Sequence, residues 1–544
     1  MLNAGEYIVK FLEAAGVSRV YCVPGESFLP VLEALRHSPI ETLTTRHESA
    51  AGYMAVADGR LTGKPGVVMV SRGPGVTNAS IAVHTAQQDG LPLLMFVGQV
   101  ERKNLRRDGF QEIDYSKMFA DIAKWTMEVH EPDDLPRILA RAYAMSISGT
   151  PGPVIISMPE DMLEAHVSEH VAAMPVTVSG PAHSGPSEAA VAEVLKLVST
   201  AQRPLIIAGK EFAEDGAREV LLKLAEKLEI PVVVSFRRHD LFANHHRLYA
   251  GDMGMSNTEA QMHLYKSADL VLALGTRLGD LTTHGYTFPA SPWPQQPLVH
   301  VYNDSSMVGR HYTPVVGAVC KASDFARSLI AHAQPEHIRR RPEWIDELKP
   351  HVVKQNTWTH TRKDDGIVFG NLISHLSERL DDNVSIVPDA GISAALVYRY
   401  FSFYGQRRLY ATMAGVMGFG IPGSIAVALR EPHKKVICLV GDGGFMMTGF
   451  DLAIAVEKKL PICIFLANNR SLGTIYFHQE KHYPGGSHAT ALSGPDFKKL
   501  AESFGCAAYQ IEHEADIAEV VDKALQTEGP VLVDVRTSLE FLKK

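Results

Sequence analysis

"VICLVGDGGFMMTG", residues 436–449, runs from an apolar, β-rich stretch into a Gly-Asp-Gly-Gly loop and then into a helical pattern. A glycine-rich loop after a buried strand usually cradles a phosphate, yet Asp442 stands inside this one. Two negative groups in one loop need a cation between them. The next apolar run, "PICIFLANN" at 461–469, ends on Asn468 and Asn469. A strand–helix–strand crossover is right-handed and leaves both loops at the carboxyl edge of the sheet, where α/β proteins bind ligands. If the two strands are neighbours, Asp442 and the Asn pair face one crevice. Their oxygens are hard and suit Mg²⁺ or Ca²⁺ rather than a soft metal. Mg²⁺ takes one or two carboxylates plus phosphate oxygens, so the aspartate holds the cation while the glycines let the backbone approach the phosphates. Alone, Gly-Asp-Gly also marks ordinary turns. Followed at this spacing by Asn-Asn, with strands at both ends, it is far more specific.

Around this unit the chain is long enough for about three domains at roughly 100–200 residues each. Its 544 residues carry a formal net charge of −8 and are 46% hydrophobic, the composition of a soluble globular protein. No basic run or basic–aromatic interleaving argues for a nucleic-acid partner. The five cysteines are scattered, form no CxxC pair and read as reduced core residues. The N-terminus is an amphipathic helix pattern with acidic residues rather than a signal peptide, and no run approaches the roughly 18 apolar residues of a membrane span. A cytoplasmic location is expected.

Strands alternate with helical patterns throughout. "VYCVPG", "GVVMVSRGPG", "PLLMFVGQ" and "PVIISMPED" mark a first α/β domain over 1–165. The polar stretch "MPVTVSGPAHSGPSEAA" at 174–190 reads as a linker. A second domain over 188–335 holds "PLIIAGK", "PVVVSF", "DLVLALGTR" and "LVHVYND", and a third over 360–544 holds "VSIVPDAG", "KVICLVGDGG", "PICIFLANN" and "PVLVDVRT". The expected fold is three doubly wound parallel-sheet domains. Segments 66–99 and 435–469 both run strand, Gly-rich loop, helix, Leu-Pro, strand at nearly equal spacing, although any two βαβ units share much of that pattern.

The GDG…NN unit resembles the diphosphate–metal motif of thiamine diphosphate enzymes, and the resemblance extends over the whole chain. It implies a pyrimidine-binding first domain, a Rossmann-like central domain and a diphosphate-binding third domain. The metal ligands it implies are Asp442, Asn469 and the carbonyl of Ser471, with Gly441, Gly443 and Gly444 beside the diphosphate. "PDAGISA" would add Gly391, Ile392 and Ser393, although a Gly-Ser turn before a helix is equally a cap. "ATMAGVMGFGIPG" fits the cofactor clamp, with the Gly415 carbonyl accepting from the ring amine and Met417 wedging the cofactor into its bent shape. "TRHESAAGYMAVADGR" supplies Glu48, implied to bond the aminopyrimidine held by a partner subunit, in a homodimer or homotetramer with shared sites. Small apolar neighbours at Ala50, Ala51, Ala55 and Ala57 lead us to expect a poorly solvated Glu48 carboxyl with a raised pKa.

Within the family, "SRGPGVTNA" with Asn78 near the cofactor, "GFQE" with Phe110 and Gln111, and "GVMGFGIPG" look most like the acetolactate synthase branch. That resemblance implies decarboxylation of a small 2-oxoacid, with the cofactor as electron sink, and transfer of the acyl carbanion to a carbonyl acceptor or to a proton. Phe110, Gln111, Thr474, Ile475 and His478 would line the substrate pocket. Several residues depart from the branch. Glu160 in "MPEDML" replaces its lysine, and His478 stands where it has a tryptophan. The stretch after "PVLVDVRT" is short for its closing tail, and "SFRRHDLF" at 235–242 is more charged than in its flavin-binding members, which leaves FAD open. Plain decarboxylases fit no better, lacking here their His-His pair and, at Ile475, their glutamate, but Glu26 in "VPGESFLP" stands where they carry an acid. An aldehyde-releasing decarboxylase is therefore the alternative. A phosphoryl-transfer enzyme would leave Glu48 and Met417 unexplained, and a non-catalytic scaffold would be expected to lose Glu48 or Asp442.

Overall fold

The apolar runs become strands buried on both faces, as the stretches 67–70 and 436–440 illustrate, because helices cover each sheet from both sides. A computed structural model describes residues 2–180, 182 and 184–543, so two residues of the expected linker, 181 and 183, lie outside it. It contains three six-stranded sheets. The first uses Arg19–Cys22, Glu41–Thr44, Gly66–Ser71, Leu93–Gln99, Trp125–Glu128 and Pro153–Pro159. The third uses Val384–Pro388, Arg408–Leu409, Lys435–Gly441, Ile462–Asn468, Ala507–Ile511 and Val531–Arg536. With strands counted in chain order inside each sheet, both run 2-1-3-4-6-5, and all their ladders are parallel. The likeness of segments 66–99 and 435–469 is therefore a likeness of whole domains. The middle sheet, built from strands between Pro204 and Ala318, runs 6-5-4-1-2-3, the Rossmann order.

In the order 2-1-3-4 the winding reverses between strands 1 and 3. A crevice opens there at the carboxyl ends. In the third sheet, Gly441 pairs with Ala467, so Asp442 and the Asn468-Asn469 pair leave adjacent strands at one edge.

The helix Glu48–Thr62 begins where the His47 ring accepts from Ser49 N at 3.2 Å and stops at Gly63, whose φ of +66° ends it in the left-handed conformation. It packs on Gly420–Arg430 and ties the first domain to the third. Tyr53 meets Phe419 edge-on at 5.8 Å, Arg430 Nη2 reaches Asp58 at 2.8 Å, and Arg60 donates to the carbonyls of Leu409 and Ala411 at 2.6 Å each. All five cysteines are free and buried. No described helix is long and apolar enough to cross a membrane.

Candidate active site

The crevice of the third sheet is a cavity of 310 Å³. The loop after Val384–Pro388 lines it with Gly391, Ile392 and Ser393, and the turn after Lys435–Gly441 with Gly441, Asp442, Gly443 and Gly444. Asn469 and Ser471 enter from the neighbouring strand, Gly415 and Met417 from the loop before Gly420–Arg430, and Thr474 and Ile475 from Gly473–His482. Every residue assigned to cofactor or metal in the third segment thus lines one cavity. His478, a turn further on, is exposed and does not line it.

Two glycines are required by this shape. Gly391 has φ +105°, and a Cβ on Gly444 would come within 2.8 Å of Asp389 Oδ1. Burial raises Asp442 above the ordinary carboxylate range even though Gly443 N donates to its Oδ1 at 2.8 Å. Asn469 Oδ1 accepts from Ser471 N at 2.9 Å, the Ser471 carbonyl accepts from Gly473 N at 2.8 Å, and the buried Ser471 hydroxyl has no partner. Among the described residues no three His, Cys, Asp or Glu side chains form a group that could hold a metal ion by themselves. One carboxylate, one amide oxygen and one carbonyl suit a hard cation whose remaining ligands are phosphate oxygens.

Asp389 was missed by sequence reasoning. It is buried under the cavity, accepts from the backbone N–H groups of Ala390, Gly418 and Gly420 at 2.7, 3.1 and 2.8 Å, and is pushed up to about 6 by burial. It ties the diphosphate-side loop to the clamp loop. Tyr53 Oη and Thr448 Oγ1 complete that bracing by donating to the carbonyls of Met417 and Gly418, at 3.2 and 2.7 Å. Thr537, Ser538, Phe541 and Leu542 also line the cavity, returning from the last strand. The apolar pair in "SLEFLKK" was their only signal.

The first-domain residues gather at the matching edge of the first sheet and do not line this cavity. Glu48 is half-buried and accepts from Asn78 Nδ2 at 2.9 Å. Phe110 and Gln111 are exposed, Gln111 with φ +64°, and the Gln111 carbonyl accepts from Gly73 N at 2.8 Å. Glu26 follows strand 1 with its side chain 74% exposed. Arg72 follows strand 3, is buried, donates to Glu160 Oε2 at 2.7 Å and lies 3.8 Å from Glu26 Oε1. Glu160, the departure noted above, thus faces a cation of its own chain.

A second cavity of 830 Å³ borders the central sheet and is lined by Lys210, Arg238, Arg277 and Arg310 among others. Burial, with Arg277 and Arg238 close by, brings Lys210 down to about 7. Asp89, Asp280 and Asp304 stand against these, so the lining is mixed with a positive balance.

Three family models match in series. Residues 2–118 match the N-terminal TPP binding domain of thiamine pyrophosphate enzymes, 191–329 their central domain and 389–535 their C-terminal TPP binding domain. The chain is 32% identical to a probable acetolactate synthase large subunit of Methanococcus aeolicus, covering 98% of this chain and 92% of the relative. It is 31% identical to the acetolactate synthase isozyme 1 large subunit of Escherichia coli, covering 99% and 94%. A putative thiamine pyrophosphate-containing protein of Bacillus subtilis, YdaP, is 30% identical over 98% of this chain and 91% of its own length.

Proposed function

Since the chain belongs to the thiamine pyrophosphate enzyme family, as an acetolactate synthase-like member, we propose that it decarboxylates a small 2-oxoacid and passes the acyl fragment to a carbonyl acceptor. What supports this most is the single cavity in which Asp442, Asn469 and Ser471 meet Gly391, Gly415 and Met417. Bound thiamine diphosphate supplies an electron sink for the loss of CO₂. Asp442, Asn469 Oδ1 and the Ser471 carbonyl would hold Mg²⁺ against its diphosphate, with Gly441, Gly443 and Gly444 leaving room for the phosphates. Gly415 and Met417, braced by Asp389, fix the orientation of the ring system. Glu48, steadied by Asn78, holds and moves a proton at its carboxyl oxygen. Ile475 and Thr474, with His478 a turn further along their helix and with Phe110 and Gln111 brought by assembly, enclose the substrate.

Glu48 lies outside the cavity of its own chain, and Met446, Met447 and Phe450 are exposed apolar residues beside the GDGG turn. Both features favour a homodimer, or a tetramer of two dimers, in which one copy's Glu48 completes the other's site. A cytoplasmic location goes with this reading. The cationic cavity of the central sheet could take a phosphate-bearing nucleotide, flavin included, and the visible absorbance of the purified protein checks that. A second reading, an aldehyde-releasing decarboxylase, is favoured by one observation, the exposed Glu26 carboxylate at the reacting edge of the first domain.

The deciding experiment incubates purified protein with Mg²⁺, thiamine diphosphate and a panel of 2-oxoacids, with and without an aldehyde, and identifies products by mass. Carboligation products support the proposal and aldehyde alone supports the second reading. Failure to consume any 2-oxoacid sinks both.

A further inference from the structure

The segment "SFRRHDLF" is unused by the reading above, yet it brings two buried side chains of the central domain to the clamp. Arg237 and His239 are only 9% and 4% exposed. Arg237 sits at φ +57°, a left-handed backbone that strains a non-glycine residue and persists where the surroundings impose it. Its Nη1 donates to the Thr412 carbonyl, and its guanidinium lies 4.8 Å from the Phe236 ring centre and 5.2 Å from that of Tyr398. A Cβ on Gly415 would stand 3.3 Å from both Nη atoms, so the cation abuts a residue that lines the cofactor cavity. The His239 ring stacks on Tyr398 at 5.6 Å and 14°.

Three polar atoms in this cluster are buried without a partner: Arg237 Nε, His239 Nδ1 and Tyr398 Oη. Among the described residues Arg237 has no carboxylate partner, and the nearest acid to His239 is Asp252, 3.6 Å from its Nε2. Leaving a buried donor without an acceptor forfeits its hydration with no return, so such groups are rare in native proteins. Arg237 Nε and the Tyr398 hydroxyl donate, and His239 Nδ1 does so in the tautomer that carries its proton there, which describes a place for an acceptor carrying negative charge. A bridging water would satisfy the hydroxyl and the imidazole but leave the Arg237 charge without a counter-ion.

The cofactor's diphosphate has the Asp442 cation, and Arg237 abuts Gly415 of the cofactor cavity without lining the cationic cavity of the central sheet, which points to the substrate as the source of the anion. A cation beside a carboxylate that departs as CO₂ would hold the ground state more tightly than the transition state and so slow the reaction. It is productive only toward a carboxylate that survives. Resting on the 2-oxoacid reading above, we propose that Arg237, with His239 and Tyr398, forms a recognition site for a substrate carboxylate that persists through the reaction. That carboxylate belongs either to an acceptor 2-oxoacid or to the far end of a dicarboxylic donor, and in both cases the bidentate guanidinium is the selective element.

The test titrates holoenzyme calorimetrically with oxamate, an unreactive carboxylate, and with neutral acetamide. We expect oxamate to bind wild type, to bind Arg237→Met at least tenfold more weakly, and to regain part of that loss in Arg237→Lys. Tyr398→Phe, which keeps the ring and drops the hydroxyl, should weaken oxamate about threefold, while acetamide shows no such dependence. Equal oxamate affinity in wild type and Arg237→Met overturns the proposal, as does no oxamate binding to wild type. A parallel fall in thiamine diphosphate affinity also overturns it, by showing that Arg237 merely supports the clamp. Turnover then separates the two sources. In Arg237→Met the KM for pyruvate as acceptor rises relative to an aldehyde acceptor, or the KM for 2-oxoglutarate as donor rises relative to pyruvate, and neither rising counts against the site. Arginine-dependent oxamate binding in a protein that consumes no 2-oxoacid would retire the proposed reaction and leave this site standing.

Discussion

The first and third sheets share one winding order, yet the residue that follows strand 3 is Arg72 in one and Asp442 in the other. Both stand at the switch point, facing a loop that follows strand 1. In the third domain that loop is the short Asp389-Ala390-Gly391, the cavity is open, and Asp442 has no cation within ion-pair reach among the described residues. In the first domain the loop brings Glu26, Ser27 Oγ lies 2.8 Å from Ser71 Oγ, and Arg72 is already paired with Glu160. The fold supplies the same crevice twice. The charge at one position decides what each is suited to: an unpaired buried acid suits a cation and phosphate, whereas a paired arginine disfavours metal in its crevice and leaves a loosely held carboxylate at the rim.

Removing the acid should break this contrast most severely. Among the described residues Asp442 is the only carboxylate lining the third-domain cavity, so Asp442→Ala should weaken Mg²⁺-dependent retention of thiamine diphosphate more than about 100-fold and leave the thermal transition nearly unchanged. Wild-type cofactor affinity by calorimetry would remove Asp442 from the metal site. The next largest effect belongs to the first domain. Glu48→Gln keeps the Asn78 contact geometry but cannot relay a proton, so the variant should bind cofactor while exchange of the cofactor's C2 proton slows by about 10²–10⁴. Exchange at the wild-type rate would place the proton transfer elsewhere.

The half of this contrast that was legible in the sequence is the half built from contiguous chain. Asp442 and Asn469 end adjacent parallel strands, and a crossover of that length allows little else, so their meeting could be read from spacing. Gly391, Gly415 and Met417 needed the family resemblance, because nothing in "PDAGISA" or "ATMAGVMGFGIPG" alone says that those loops converge. The Arg72–Glu160 pair was not legible: its members lie 88 residues apart, and each reads as a solvated charge until the sheet order brings strands 3 and 6 to one edge. Asp389, Phe541 and Arg237 were missed for the same reason. Their partners are backbone atoms and rings of distant segments, which leave no periodicity behind.

That missed pair gives the third prediction. Glu160→Gln would leave the buried Arg72 guanidinium with only Glu26, at 3.8 Å. Stripping one partner from a fully buried pair costs about 3–5 kcal/mol, but the Glu160 side chain is 31% exposed and water screens part of that, so a loss of about 1–2 kcal/mol is expected. Urea unfolding should show it as a lower midpoint at unchanged slope. An unmoved midpoint would mean that Arg72 is held by the backbone alone and that the charge contrast between the two crevices is incidental.

The smallest effect concerns Glu26, and it discriminates between the two reactions. A small residue at this position would leave room for a second carbonyl compound. Glu26 instead offers a carboxyl whose side chain is 74% exposed and whose nearest cation, Arg72, is engaged more closely by Glu160. Such a group is free to deliver a proton to the fragment left after CO₂ departs, which releases an aldehyde. It is equally placed to be a capping charge for the short helical turn Glu26–Phe28. The two roles differ in what Glu26→Gly changes. If Glu26 is the acid, the variant should consume the 2-oxoacid within about threefold of the wild-type rate while its products shift from aldehyde toward the carboligated compound, because protonation and acceptor attack compete for the same fragment. Glu160→Gln should move the partition the same way more weakly, since it frees Arg72 to hold Glu26 as a carboxylate. Wild-type partition in both variants would make Glu26 a structural residue and would leave carboligation as the reaction to which the first-domain crevice is suited.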